Sequence, residues 1–97
     1  MTRSLGSQRA HDAEVRRIAE RLKRQGFNVK ADVEGFQKPS TFGGLRPDVV
    51  AGKGAQRKIY EVETKDSVDT TRNEKQKIEF RNVADRSKST TFKRVII

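Results

Sequence analysis

The sequence predicts an α/β domain of order αβββαβ, a mixed central sheet flanked by helices. Three observations predict it. An apolar stripe at i, i+3, i+4, i+7 opens the chain, and three short strand-like segments follow. A capped helical segment then separates these from one last apolar run. A strand–helix–strand step crosses over right-handed, so the final strand is expected to run parallel to one of the others. At 97 residues the chain makes a single domain, 1–97, with 1–9 read as a polar, basic tail.

The first helix is expected from Ala10 to Gln25, with Val15, Ile18, Ala19 and Leu22 facing inward. Asp12 and Glu14 near its start and Lys23 and Arg24 near its end suit the helix dipole, and Gly26 supplies a left-handed stop. Phe27, Val29, Ala31 and Val33 alternate with polar residues up to Glu34, the period of a strand buried on one face. Gly35, Pro39, Ser40, Thr41, Gly43 and Gly44 make a loop that is long for so small a domain. Pro47 to Ala51 form a second strand, Gly52 to Gly54 a turn, and Arg57 to Lys65 a third strand that hairpins with the second. Thr71-Arg72-Asn73-Glu74 fits a capping box that starts a second helix running to about Asp85, with Phe80, Val83 and Ala84 inward. Phe92 to Ile97 is the last strand.

Composition narrows the function. Twenty-two Lys and Arg stand against 13 Asp and Glu, a formal charge of +9, and the isoelectric point is near 10.4. A field of that sign draws polyanions, nucleic acid first and anionic membrane second. The absence of cysteine removes disulfides, thiolate metal sites and cysteine nucleophiles. One histidine, His11, cannot furnish a His-rich metal site, and no role beyond the helix start is expected of it. No apolar run approaches the ~18 residues of a membrane span and no signal peptide is evident, so an intracellular, cytoplasmic protein is expected.

The residues that carry chemistry are Asp48 after Pro47, and Glu63 and Lys65 in the next segment. Glu63 and Lys65 stand at i and i+2, so on a strand they share a face with Cβ atoms about 7 Å apart. Asp48 and Glu63 are hard oxygen ligands suited to Mg²⁺ or Mn²⁺, with water and phosphate completing the shell. Such an ion lowers the pKa of a coordinated water and neutralises charge on a phosphodiester. Lys65 would position that water, stabilise developing charge or act as base. The bland alternative is a solvated acid–lysine pair on an exposed strand. Against it, Tyr60, Val62 and Thr64 look built to pack, which lines up Ile59, Glu61, Glu63 and Lys65 on the other face. Ionisable groups buried there without partners would cost several kcal/mol, and a cation-holding cleft explains them.

This order, with Pro-Asp on the second strand and Glu-x-Lys on the third, resembles the PD-(D/E)XK nuclease superfamily, nearest to archaeal Holliday-junction resolvases. The restriction-endonuclease-like fold is implied with it. The resemblance covers roughly residues 10 to 97. It includes Glu14 in the first helix, the join Leu22-Lys23-Arg24-Gln25-Gly26-Phe27-Asn28-Val29, the loop Ser40-Thr41-Phe42-Gly43-Gly44, and Gln76 followed by Phe80. Two features depart from the pattern. Glu61 stands where those resolvases usually carry an apolar residue, so two glutamates compete for the ligand role. Lys53, Arg57 and Lys58 make the loop between the second and third strands more basic.

The resemblance implies a Mg²⁺- or Mn²⁺-dependent endonuclease acting on branched or double-stranded DNA, as a homodimer with two active sites. It implies that the Thr64 carbonyl joins Asp48 and Glu63 at the metal, and that Glu14 reaches the metal cluster or orients Lys65. Glu14 as a plain first-turn acid is the competing reading. Gln76 either aids water placement or is solvated, and Glu61 is an additional acid at the site or an edge salt-bridge partner. Arg46, beside Asp48, is the first candidate for a phosphate clamp. Lys38, Lys53, Arg72 and Lys75 could extend a basic track, and Ser40 and Thr41 could hydrogen-bond phosphate. A restriction-, repair- or phage-type nuclease on the same core, and a nucleic-acid-binding module without turnover, are the alternatives.

Overall fold

A computed structural model describes residues 5–41, 44–64, 78 and 89–97. The elements are α1 (Leu5–Arg24), β1 (Asn28–Ala31), β2 (Val49–Lys53), β3 (Gln56–Glu63) and β4 (Thr90–Ile96). The four strands form one sheet in the order β1-β2-β3-β4. β1 and β2 pair antiparallel, as do β2 and β3, and β4 runs parallel to β3. The expected parallel final strand is therefore present. The expected second helix falls outside the described residues, apart from Ile78, which is helical.

Helix α1 lies against one face of the sheet because its stripe is apolar at the helical period. Val15, Ile18, Ala19 and Leu22 pack with Phe27, Ala31, Val49, Ala51, Tyr60 and Val62 into one buried cluster. Period-2 alternation puts Ile59, Glu61 and Glu63 on the opposite face of β3 from Tyr60 and Val62. All five residues are buried.

The boundaries differ from expectation for physical reasons. The helix begins at Leu5 and not at Ala10, so residues 5–9 are no tail. Gln8, Arg9 and Ala10 are good helix formers, and helical propensity continues the element without packing. No acidic residue then falls in the first turn, which removes the dipole reading of Asp12 and Glu14, whereas Arg21, Lys23 and Arg24 do occupy the last turn. β1 stops at Ala31, and the chain folds back on itself: Ala31 N–H donates to Gln37 O and Asp32 N–H to Asp48 O. β2 begins only at Val49, since Pro47 has no N–H to give a ladder. The register pairs Lys53 with Gln56, leaving Gly54 and Ala55 as a two-residue turn. Gly54 has φ 59°, the left-handed value that a type II′ hairpin requires at its first position. Gly26, φ 91°, ends α1 as expected. Among the described residues no helix is long and apolar enough to cross a membrane.

Candidate active site

Three acids meet where β2 begins and β3 ends. The register that pairs Val49 with Tyr60 brings Asp48 level with Glu61, and the Asp48 N–H donates to Glu61 Oε2 across 3.4 Å. Glu63 lies two residues further on the same face. Asp48 is 7% exposed, Glu61 5% and Glu63 1%, so all three carboxylates are withdrawn from bulk water. Burying like charges together is costly. Each acid meets that cost differently.

Asp48 Oδ2 accepts the Val62 N–H at 2.8 Å and faces His11 Nε2 at 3.2 Å. Glu63 is ion-paired through Oε2 with the Nε of Arg94, whose backbone in β4 lies level with Glu61. Glu61 is the least compensated of the three. Burial first, then the neighbouring charges of Asp48 and Glu63, push its carboxyl up to about 9.

His11 is buried, contrary to the expectation that it serves only the helix start. It lies four residues before Val15 on the inward stripe of α1, which carries it to Asp48. Its Nδ1 faces Asp12 Oδ1 at 3.0 Å, so both ring nitrogens point at carboxylate oxygens. An imidazolium would donate to both, and a neutral ring to one.

Glu14 is engaged elsewhere. The Arg17 guanidinium grips it through Nε at 2.9 Å and through a second nitrogen, and this hydrogen-bonded pair holds its carboxyl below the usual range. The α1 side chain that reaches the acids is therefore His11. Thr64 is buried directly after β3, and Lys65, Arg72, Lys75 and Gln76 lie outside the described residues.

Of the expected phosphate contacts, Lys38, Ser40, Thr41 and Arg46 are exposed on the segment leading to Asp48. Lys53 is placed apart from them. It sits at the far end of β2, about 17 Å along the strand at ~3.3 Å per residue. There its Nζ donates to Gln25 O at 3.1 Å and lies 5.6 Å from the centre of the Phe27 ring. Lys58 shares that ring at 5.2 Å. Lys53 thus closes the C-terminal end of α1, where a cation is favoured by the helix dipole. It does not extend the basic track toward Asp48.

Sequence reasoning missed His11 and Arg94. Each carried a signal: a histidine on an apolar stripe, and an arginine within an apolar strand. Among the described residues no group of three or more His, Cys, Asp or Glu is arranged to hold a metal ion. Asp48 and Glu63 are turned to His11, Val62 and Arg94. A hard cation of the Mg²⁺ type takes one or two carboxylates and completes its shell with water and phosphate, so Asp48 and Glu61, level with each other across the strand pair, are the residues that would hold one. No family model, curated protein or solved structure matches this chain.

Proposed function

We propose that this chain is a Mg²⁺- or Mn²⁺-dependent endonuclease that hydrolyses DNA phosphodiester bonds, on the PD-(D/E)XK pattern that its sequence resembles. One observation carries the reading. Three buried carboxylates, Asp48, Glu61 and Glu63, gather in a chain whose net charge is +9. The cluster asks for a cation and the remainder of the chain for a polyanion, and a metal-dependent nuclease needs both.

Asp48 and Glu61 are the proposed holders of the ion, with Glu63 beside them. The sequence expectation paired Asp48 with Glu63, with the Thr64 carbonyl completing the set. The register and the Asp48–Glu61 contact favour Glu61, while Arg94 occupies Glu63. The bound ion would polarise the scissile phosphate and ease deprotonation of the attacking water. The chain's own groups do the rest. The Val62 N–H holds Asp48, and Arg94 holds Glu63 in a fixed position. Arg46, Lys38, Ser40 and Thr41 take the DNA backbone, and Lys65 is assigned from the sequence as the group that orients the water. Branched DNA such as a Holliday junction is the proposed substrate and a homodimer the proposed form, because paired scissile sites suit a two-fold enzyme.

A panel of duplex, mismatched, nicked and four-way DNA, incubated with Mg²⁺, tests activity and substrate together. Cleavage is expected on the four-way substrate and is expected to vanish in Asp48→Ala and Lys65→Ala while DNA binding persists. Full cleavage by either variant would overturn the mechanism. A second reading, a binding module without turnover, draws on the two ion-paired or hydrogen-bonded acids, since Arg94 and His11 already partner Glu63 and Asp48. That module would bind DNA, cut none of the panel, and show no rise in melting temperature with Mn²⁺.

A further inference from the structure

A polar chain runs from a surface cleft to the buried acids. Gln8 Nε2 donates to Asp12 Oδ1 at 2.9 Å, and the same oxygen faces His11 Nδ1. His11 Nε2 then faces Asp48 Oδ2, which also takes the Val62 N–H. The outer end is open: the Asp12 side chain is 43% exposed and, with Gln8, Arg16, Asp32 and Phe36, lines a cleft of about 490 Å³. The inner end is buried, with His11 5% exposed among the apolar residues of α1. Packing alone does not account for a histidine there, because an aliphatic side chain would fill the stripe without burying polar atoms.

We propose that His11 is a positioning residue for Asp48. Asp12 sets the orientation of the imidazole, and the imidazole and the Val62 N–H together fix Oδ2 from two directions. That fixes the rotation of the carboxylate and hence the angle at which Asp48 can meet a cation. Groups of this kind, one step removed from the ion, commonly govern affinity as strongly as geometry does. The inference rests on the metal-site reading above and adds to it the device by which α1 takes part.

Mn²⁺ binding by titration calorimetry, with a thermal melt of each protein, tests it on wild type, Asp48→Asn, His11→Ala, His11→Gln and Asp12→Asn. Wild type is expected to bind and Asp48→Asn to lose binding. His11→Ala is expected to weaken Mn²⁺ by about 10- to 100-fold, the usual range for an outer partner of a metal ligand. His11→Gln, which keeps an N–H donor at the reach of Nε2, is expected to recover most of that loss. Asp12→Asn touches none of the three acids and lies half in solvent. It is expected to weaken Mn²⁺ roughly two- to fivefold, on the scale of an exposed carboxylate interaction. Should His11→Ala not fold, Asp12→Asn decides the matter.

A purely structural histidine would lower the melting temperature of His11→Ala and leave every Mn²⁺ affinity but that of Asp48→Asn at the wild-type value, which overturns the proposal. Loss in His11→Gln as complete as in Asp48→Asn would make His11 a direct ligand and overturn it too. Wild type failing to bind, or Asp48→Asn binding normally, would remove the metal-site reading itself and this inference with it.

Discussion

Replacing Glu61 by glutamine should stabilise the metal-free protein, although the residue is buried and central. The Glu61 carboxyl is raised from its usual 4.5 to about 9, by burial first and then by Asp48 and Glu63. Between those two values the folded state holds a proton that the unfolded chain has released. Stability therefore falls as pH rises through that window and is greatest below 4.5. Taking up that proton at pH 7 costs roughly 3 kcal/mol, at 1.36 kcal/mol per pH unit. Glutamine is neutral and nearly isosteric, so it escapes the cost. Its carbonyl can accept the Asp48 N–H and its amide can donate to the Asp48 carboxylate.

Urea unfolding in EDTA at pH 5, 7 and 8.5 reads the effect. Glu61→Gln should exceed wild type by about 3 kcal/mol at pH 7, with the gap closing towards pH 5. Mn²⁺ should reverse the order at about 1,000 times its Kd, where the ligand adds about 4.1 kcal/mol to the protein that binds it. A Glu61→Gln variant less stable than wild type at pH 7 in EDTA, or a gap that ignores pH, would show that folded Glu61 does not hold the extra proton. Glu61 would then be ionised in the folded protein, with its buried charge compensated by its surroundings.

Ile18→Ala, at a position 1% exposed between helix and sheet, should cost about 2–5 kcal/mol in denaturant unfolding without changing the m-value. Arg94→Gln leaves the buried Glu63 without its charge partner and should cost roughly 3–5 kcal/mol at pH 7. The double variant Arg94→Gln/Glu63→Gln should recover much of that loss, and a strictly additive result in the cycle would deny the pair. Gly54→Ala meets nothing within 4 Å, so its cost is conformational alone, about 1–2 kcal/mol for a left-handed residue. A thermal melt unchanged by that substitution would remove the II′ turn.

The helix and the four described strands were legible because their apolar residues keep the periods of their elements. Val15, Ile18, Ala19 and Leu22 gave α1, and Phe92 to Ile97 gave β4 along with its parallel direction. Ends were less legible. The start of α1 rests on propensity in Gln8, Arg9 and Ala10, which an apolar pattern does not register. β1 ends early because Ala31 and Asp32 spend their N–H groups on Gln37 and Asp48, a tertiary event with no local signature. In the site, Asp48 and Glu63 stood out by residue type and spacing. The prominence of Glu61 needed the register of β2 against β3. His11 required knowing which sheet edge the first turns of α1 overlie, and Arg94 required the parallel pairing of β3 with β4. Lys53 shows that basic character alone does not give a residue's place, since the fold sets it at the C-terminal end of α1, away from Asp48.

Strand scission of a labelled four-way DNA junction, timed with Mn²⁺ present for wild type and for Asp48→Asn at equal DNA occupancy, decides whether Asp48 serves metal-dependent cleavage. Wild type is expected to nick the junction only with metal, and the variant at a rate at least about 100-fold lower, the loss of ~2.7 kcal/mol or more of transition-state stabilisation. Equal rates for the two proteins, or bound DNA left whole by wild type, would contradict that role.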